Sequence, residues 1–353
     1  MVDRRSMLGA LTAGMIGTAG CLDADSDGDE IDRLEPEREL WSFEADGRIP
    51  TTPAVANGRV HVGSFDRNIY ALDTDRGTEQ WRFETGDKVW SAPAIAGDTL
   101  LIGGVDHHVY AIGLEGGERW TVETGGEIYA PPMTAADRVY IGSNDGRLYA
   151  LSSATGEIEW TSHLGGKVKS KLATLGNRGY VGSTGGDLCA VDLSNGTVQW
   201  RFGTDERILS RAAVHDDRVV FGSTDGRCYA VDRRTGDEQW RYETDSGIAS
   251  SPTVRNGTVY FGNGRMRVHA LDVETGEQQW RTTLRGRVNG SPNLVDGVLY
   301  VGDAGIVHAL DPETGEAHWR FETGNPVNAA PTGVAYVAYV ASNDGHVYAL
   351  DVT

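Results

Sequence analysis

Tryptophan recurs at Trp41, Trp81, Trp120, Trp160, Trp200, Trp240, Trp280 and Trp319, in steps of 40, 39, 40, 40, 40, 40 and 39 residues. Counted from each tryptophan, the apolar and polar positions repeat. Eight residues on stands a β-branched aliphatic: Ile49, Val89, Ile128, Val168, Ile208, Ile248, Val288 and Val327. Twelve on, proline occupies six of eight copies; twenty-two on, glycine occupies seven, from Gly63 to Gly302, with Ala341 in the eighth. A short apolar run such as Val139-Tyr140-Ile141 precedes that position. Next come a turn such as Asn144-Asp145-Gly146, a strand of the type Tyr70-Ala71-Leu72-Asp73, and a Thr-Gly turn leading to the following tryptophan. Short apolar runs bounded by turn residues, with no helical period, predict four strands per unit joined by hairpins.

Four antiparallel strands in a unit of ~40 residues, copied radially, predict a propeller blade. The expected fold is all-β, an eight-bladed β-propeller of four-stranded antiparallel blades. The chain enters the repeat at Glu39-Leu40-Trp41 and ends at Tyr348-Ala349-Leu350-Asp351, one strand short. The first segment is therefore expected to supply the missing outer strand of the last blade. Such closure removes exposed sheet edges. The aspartates of the Ala-Leu-Asp strands (Asp73, Asp192, Asp232, Asp272, Asp311 and Asp351) are expected to bond the backbone of the following turn.

Charge narrows the class of partner. The net charge is −19, from 51 acids against 32 bases, and only four of the bases are lysine. This acidic, arginine-over-lysine balance suits a very salty environment, where screening over about 3 Å at 1 M salt makes self-repulsion cheap. It opposes nucleic-acid binding, which needs clustered cations. Of three cysteines, Cys189 and Cys228 sit one position apart in the register of adjacent repeats, so they are expected to face opposite ways and stay unbridged. The histidines lack metal-ligand spacing, no metal site is expected, and no catalytic constellation is identifiable. Asn195-Gly196-Thr197 and Asn256-Gly257-Thr258 are glycosylation sequons at turns.

The first residues form an address. Arg4-Arg5 precedes a weakly apolar run too short to span a bilayer, and Thr18-Ala19-Gly20-Cys21 resembles a lipobox. The resemblance implies a twin-arginine lipoprotein signal over residues 1–20 and lipidation of Cys21. Residues 21–38 are an acidic tether. Asp23, Asp25, Asp27 and Gly28 open like a calcium loop, but Leu34 stands where the bidentate Glu belongs. The propeller is expected over 39–353, exported, monomeric, and held at the outer face of the cytoplasmic membrane by its lipid alone.

The repeat, Val-Tyr-Ile-Gly-Ser-Asn-Asp-Gly-Arg-Leu-Tyr-Ala-Leu in the copy beginning at Val139, resembles the pyrroloquinoline-quinone-type (PQQ-like) propeller repeat over residues 39–353. That family implies the propeller fold and either of two activities. One branch is the quinoprotein dehydrogenases, which bind the quinone and calcium; the other is non-enzymatic and includes a lipoprotein that helps assemble outer-membrane barrels. This chain lacks the adjacent cysteine pair, the Cys-x-x-Cys-His haem site and the insertions of the first branch. The expectation is a non-catalytic binding or scaffold protein without cofactor; the alternative is a small PQQ-dependent oxidoreductase.

Function is expected where the copies differ. The innermost strand is predicted to begin about seven residues after each tryptophan, and all four lysines (Lys88, Lys167, Lys169 and Lys171) fall there. The fourth copy carries three of them, and the fifth adds Arg207 and Arg211. Trp90, the one tryptophan outside the ladder, and Tyr129 hold equivalent positions in the second and third. Trp90, Tyr129, Lys167, Lys169, Lys171, Arg207 and Arg211 are therefore expected to form a cationic, aromatic-flanked channel mouth. It would bind an anionic ligand or a protein through an acidic segment, because clefts lined by one sign of charge concentrate counter-ions.

Overall fold

The computed structural model describes residues 38–352; the expected signal over residues 1–20, Cys21 and the calcium-loop-like residues of the tether lie outside the described residues. Strand β1 (Glu39–Glu44) opens the fold. Then β2 (Ala54–Ala56), β3 (Arg59–Gly63), β4 (Asn68–Asp73) and β5 (Glu79–Glu84) pair in that order as the first blade. Six more four-stranded antiparallel sheets follow with the same order. The last combines Thr332–Val334, Val337–Ala341 and His346–Asp351 with β1. Trp41 there lies opposite Ala349 and Phe43 opposite Val347, so the first strand closes an eight-bladed propeller as expected.

The repeated residues turn out to be locks between blades. Seven tryptophans donate from Nε1 to a carbonyl in the turn of the next blade at 2.8–3.3 Å, beginning with Trp41 to Thr74. Each ring also covers the glycine of that turn. A methyl group on Gly77 would stand 2.4 Å from Trp41, and one on Gly236 would stand 2.8 Å from Trp200. Gly77 and Gly236 also hold positive φ, 68° and 80°, so glycine is demanded by backbone and neighbour together.

A second lock lies nearer the axis. A methyl group on Gly63 would stand 2.3 Å from Val89, and the pairs Gly103–Ile128, Gly182–Ile208 and Gly262–Val288 are equally close. The β-branched residue of one unit thus seats on the glycine of the preceding blade. In the closing blade Ala341 packs in the same cluster as Ile49. Five of the six aspartates act as the sequence predicts: Asp73, Asp232, Asp272 and Asp311 each accept backbone N–H bonds from residues two and three positions on, and Asp192 from Ser194. Cys189 and Cys228 are buried and unbridged.

Candidate functional site

Each innermost strand starts later than the sequence suggests. In the first blade β2 begins thirteen residues after Trp41 and is only three residues long. The residues seven to twelve after each tryptophan run instead as a lead-in segment outside the sheets, with a bend at the tenth. The physical cause is visible in its hydrogen bonds. The N–H of the β-branched residue donates to the preceding blade, as Val89 to Ser64 O at 3.0 Å and Val168 to Ser143 O at 3.0 Å, and so is not available to a ladder within its own blade. The lysines are therefore on these segments and not on strands.

Burial alternates along this segment. Val168, Ser170 and Leu172 are buried, whereas Lys167, Lys169 and Lys171 are accessible, and the other copies alternate likewise. The ninth position after the tryptophan forms an aromatic and cationic chain. Trp90, 44% exposed, lies 5.4 Å from the Tyr129 ring, and Lys169 Nζ sits 4.5 Å above Tyr129. Phe65 extends the chain, 4.8 Å from Trp90 and 5.6 Å from Lys88 Nζ. Burial, then Lys167, holds the Lys169 ammonium below its ordinary range against the opposing pull of Glu127. Burial, then Glu127, raises the Tyr129 phenol.

The eleventh positions, Thr52, Ala92, Pro131, Lys171, Arg211, Ser251, Ser291 and Ala330, come one from each blade and line a single cavity of about 330 Å³. Residues 40 apart in sequence meet there, which places the cavity on the propeller axis. Lys171 and Arg211 are its only ionisable walls. Burial, then Arg211, pushes the Lys171 ammonium down to about 8, and burial lowers Arg211. Arg211 is accessible within the channel, where water solvates a charge less well than bulk water does. Among the described residues no carboxylate lies within ion-pair distance of Lys167, Lys169, Lys171, Arg207 or Arg211.

The seven sequence-predicted residues thus divide by depth. Trp90, Tyr129 and Lys169 are in mutual contact, Lys171 and Arg211 share the cavity wall, and Lys167 and Arg207 occupy the seventh position, where both are exposed. Sequence reasoning missed Phe65. Its signal was a departure from the repeat, Ser64-Phe65-Asp66-Arg67 where another copy reads Ser223-Thr224-Asp225-Gly226.

Elsewhere the chemistry is structural. One trio, His215, Asp216 and Glu274, brings ligand atoms within 4.8 Å on the surface, but Glu274 already pairs with Arg218 at 2.7 Å. His308 Nε2 pairs with Asp303 at 2.9 Å, both buried. Tyr229 donates to Asp225 at 2.8 Å, a pairing that recurs at Tyr70–Asp66 and Tyr348–Asp344. Cys189 accepts from Arg201 at 2.9 Å, and burial pushes its thiol up to about 11, away from thiolate reactivity.

A family model described as "PQQ_2: Outer membrane protein assembly factor BamB" matches residues 5–123, 105–266, 229–305 and 264–353. Among solved structures, the chain is similar to BamB from Moraxella catarrhalis, at 20% identity over 89% of this chain and 99% of that one, with a TM-score of 0.76. The computationally designed Ika8 protein matches at 19% identity over 89% and 99%, with a TM-score of 0.78. A quinohemoprotein alcohol dehydrogenase from Comamonas testosteroni matches at 16% identity over 89% of this chain and 76% of that one, with a TM-score of 0.76. Likeness at these identities establishes the fold alone. No curated protein sequence matches the chain.

Proposed function

This chain belongs to the PQQ_2 family, and on that premise we propose that it is a non-catalytic binding and scaffold protein whose axial channel takes an anionic partner. The observation that carries this reading is the set of unpaired cations, Lys167, Lys169, Lys171, Arg207 and Arg211, gathered beside Trp90 and Tyr129. In a protein of net charge −19, cations that have no ion-pair partner and outnumber the nearby acid, Glu127, focus attraction on one opening. The partner is a small anion or an acidic segment of a protein. The test is titration of the full chain with anionic small molecules and with an acidic peptide, before and after Lys169→Glu and Lys171→Glu. Charge reversal is expected to abolish binding; unchanged affinity would remove the reading.

The same reading puts the protein outside the cytoplasmic membrane, held by lipid on Cys21. It draws on the lipobox-like Thr18-Ala19-Gly20-Cys21 and on membership in a family described by an outer-membrane assembly factor. Cys21→Ser should release the protein into the medium; retention on the membrane would exclude a lipid anchor at this residue.

Quinone-dependent oxidation is the second reading, favoured by the likeness to the Comamonas testosteroni dehydrogenase. The donor set fits it poorly. Calcium takes oxygen ligands rich in carboxylates, and none of the cavity-lining residues is acidic. Adding PQQ and calcium to the purified protein separates the two readings. A stoichiometric bound chromophore with dye-linked dehydrogenase activity would replace the binding reading with the enzymatic one.

A further inference from the structure

The cavity wall is asymmetric in a way that specifies a ligand. Lys171 and Arg211 stand on adjacent blades, with no acid between or beside them. The next two blades contribute serine hydroxyls. Ser251 Oγ accepts the Arg211 N–H at 2.9 Å, and Ser291 Oγ accepts the Ser251 N–H at 3.0 Å. Across the ring, Thr52 Oγ1 accepts the Ala330 N–H at 3.2 Å. A hydroxyl that accepts from backbone keeps its own O–H to donate. Two carbonyls beside the cavity are engaged by side chains: Thr253 donates to Pro292 O at 2.6 Å and Asn293 to Pro331 O at 2.8 Å. The cavity thus presents two cations and three hydroxyl donors.

We propose that this cavity is a binding site for a tetrahedral oxyanion of charge two, the phosphate or sulfate class, held between Lys171 and Arg211 and capped by the Ser251 and Ser291 hydroxyls. The proposal rests on the channel-binding reading above and narrows it to one tier and one charge. Two desolvated cations that repel each other are neutralised by a dianion, whereas a single carboxylate leaves one charge unpaired in a poorly solvated site. Space agrees, since 330 Å³ equals about eleven water volumes of ~30 Å³, enough for the anion with part of its hydration. Further out, the Trp90–Tyr129 pair offers apolar surface to whatever carries the anion.

Calorimetric titration of the full chain at fixed ionic strength tests this, with sulfate, inorganic phosphate, phenyl phosphate and acetate as ligands. Sulfate and phosphate are expected to bind one to one, with acetate at least tenfold weaker. Lys171→Gln and Arg211→Gln should each weaken sulfate at least tenfold, and Lys167→Gln less than threefold. Phenyl phosphate binding as tightly as phosphate assigns a phosphate ester as carrier; phosphate alone assigns the free ion. Thermal melting is the second readout: sulfate should raise the midpoint of the wild type and leave that of Lys171→Gln unchanged. Equal loss in all three variants would overturn the inner site but leave the channel-binding reading standing. If no anion, small or peptide, binds the wild type, both fall.

Discussion

Replacing His61 by tyrosine should make the fold more stable and less sensitive to acid. His61 lies on β3, fully buried, its ring 5.5 Å from that of Trp81, and neither of its nitrogens has a hydrogen-bond partner. Five other blades carry tyrosine at this position, and in four of them the hydroxyl reaches a carbonyl of the next blade, as Tyr140 to Leu193 O at 3.3 Å and Tyr180 to Arg233 O at 3.1 Å. The equivalent acceptor for residue 61 is Leu114 O, to which Trp81 donates at 2.8 Å and Arg59 at 3.2 Å, as Trp200 and Arg178 donate beside Tyr180 to Arg233 O. Burial, then Arg59, lowers the His61 imidazole from 6.5 to about 4. The unfolded chain therefore binds this proton first, and stability falls as pH drops from 6.5 through about 4, then levels. At 1.36 kcal/mol per pKa unit the loss is about 2 kcal/mol by pH 5 and about 3 kcal/mol by pH 4. His269, also buried and lowered to about 4, remains in both proteins, so its effect cancels in the difference. Urea unfolding of wild type and His61→Tyr at pH 7 and pH 5 measures it. The variant should gain about 1 kcal/mol at pH 7 from the new hydrogen bond and about 2 kcal/mol more at pH 5. Parallel stability curves for the two proteins would refute the reasoning.

The interblade lock predicts a contrast between two glycines of nearly equal φ. Gly236→Ala, at φ 80° with a methyl 2.8 Å from Trp200, should cost about 1–3 kcal/mol more than Gly257→Ala, at φ 78° with nothing within 4 Å; equal melting points would deny the lock. Deleting residues up to Glu44 removes β1 and bares the edge of His346–Asp351, so the protein should melt lower and aggregate, as read by size-exclusion chromatography. An unchanged monodisperse monomer would show that β1 does not close the ring. Sulfate affinity should fall several-fold as pH rises through about 8, where Lys171 loses its proton; Arg211, the only other titratable group lining the cavity, stays charged. A flat profile up to pH 10 would take Lys171 out of the site.

Much of the architecture could be read along the chain because its signals are local. Strand alternation is a property of neighbours, and turns such as Asn144-Asp145-Gly146 carry their own conformational demand: Gly146 has φ 87°. A copy count needs only the spacing of Trp41 and its successors. The site was legible in part for the same reason, since Trp90 and Lys167, Lys169 and Lys171 stand out against seven other copies. Phe65 was overlooked because it reaches Trp90 from a turn of the preceding blade, 25 residues away in sequence. The late start of the inner strands was hidden too, because the lead-in segment and a strand share one alternation of burial and differ in where their N–H groups go.

By itself, then, the sequence determined the number of blades, their strand order and the closing role of Glu39–Glu44, all consequences of period and turn chemistry. Only the tertiary structure decided which residues face one another across blades. It set Trp200 on Gly236 and Val89 on Gly63, and it brought Lys171, Arg211, Ser251 and Ser291, each 40 residues from the next, to one wall. The reason is geometric. A ring brings equivalent positions together at its axis, and how closely they converge depends on how every blade packs against its neighbour.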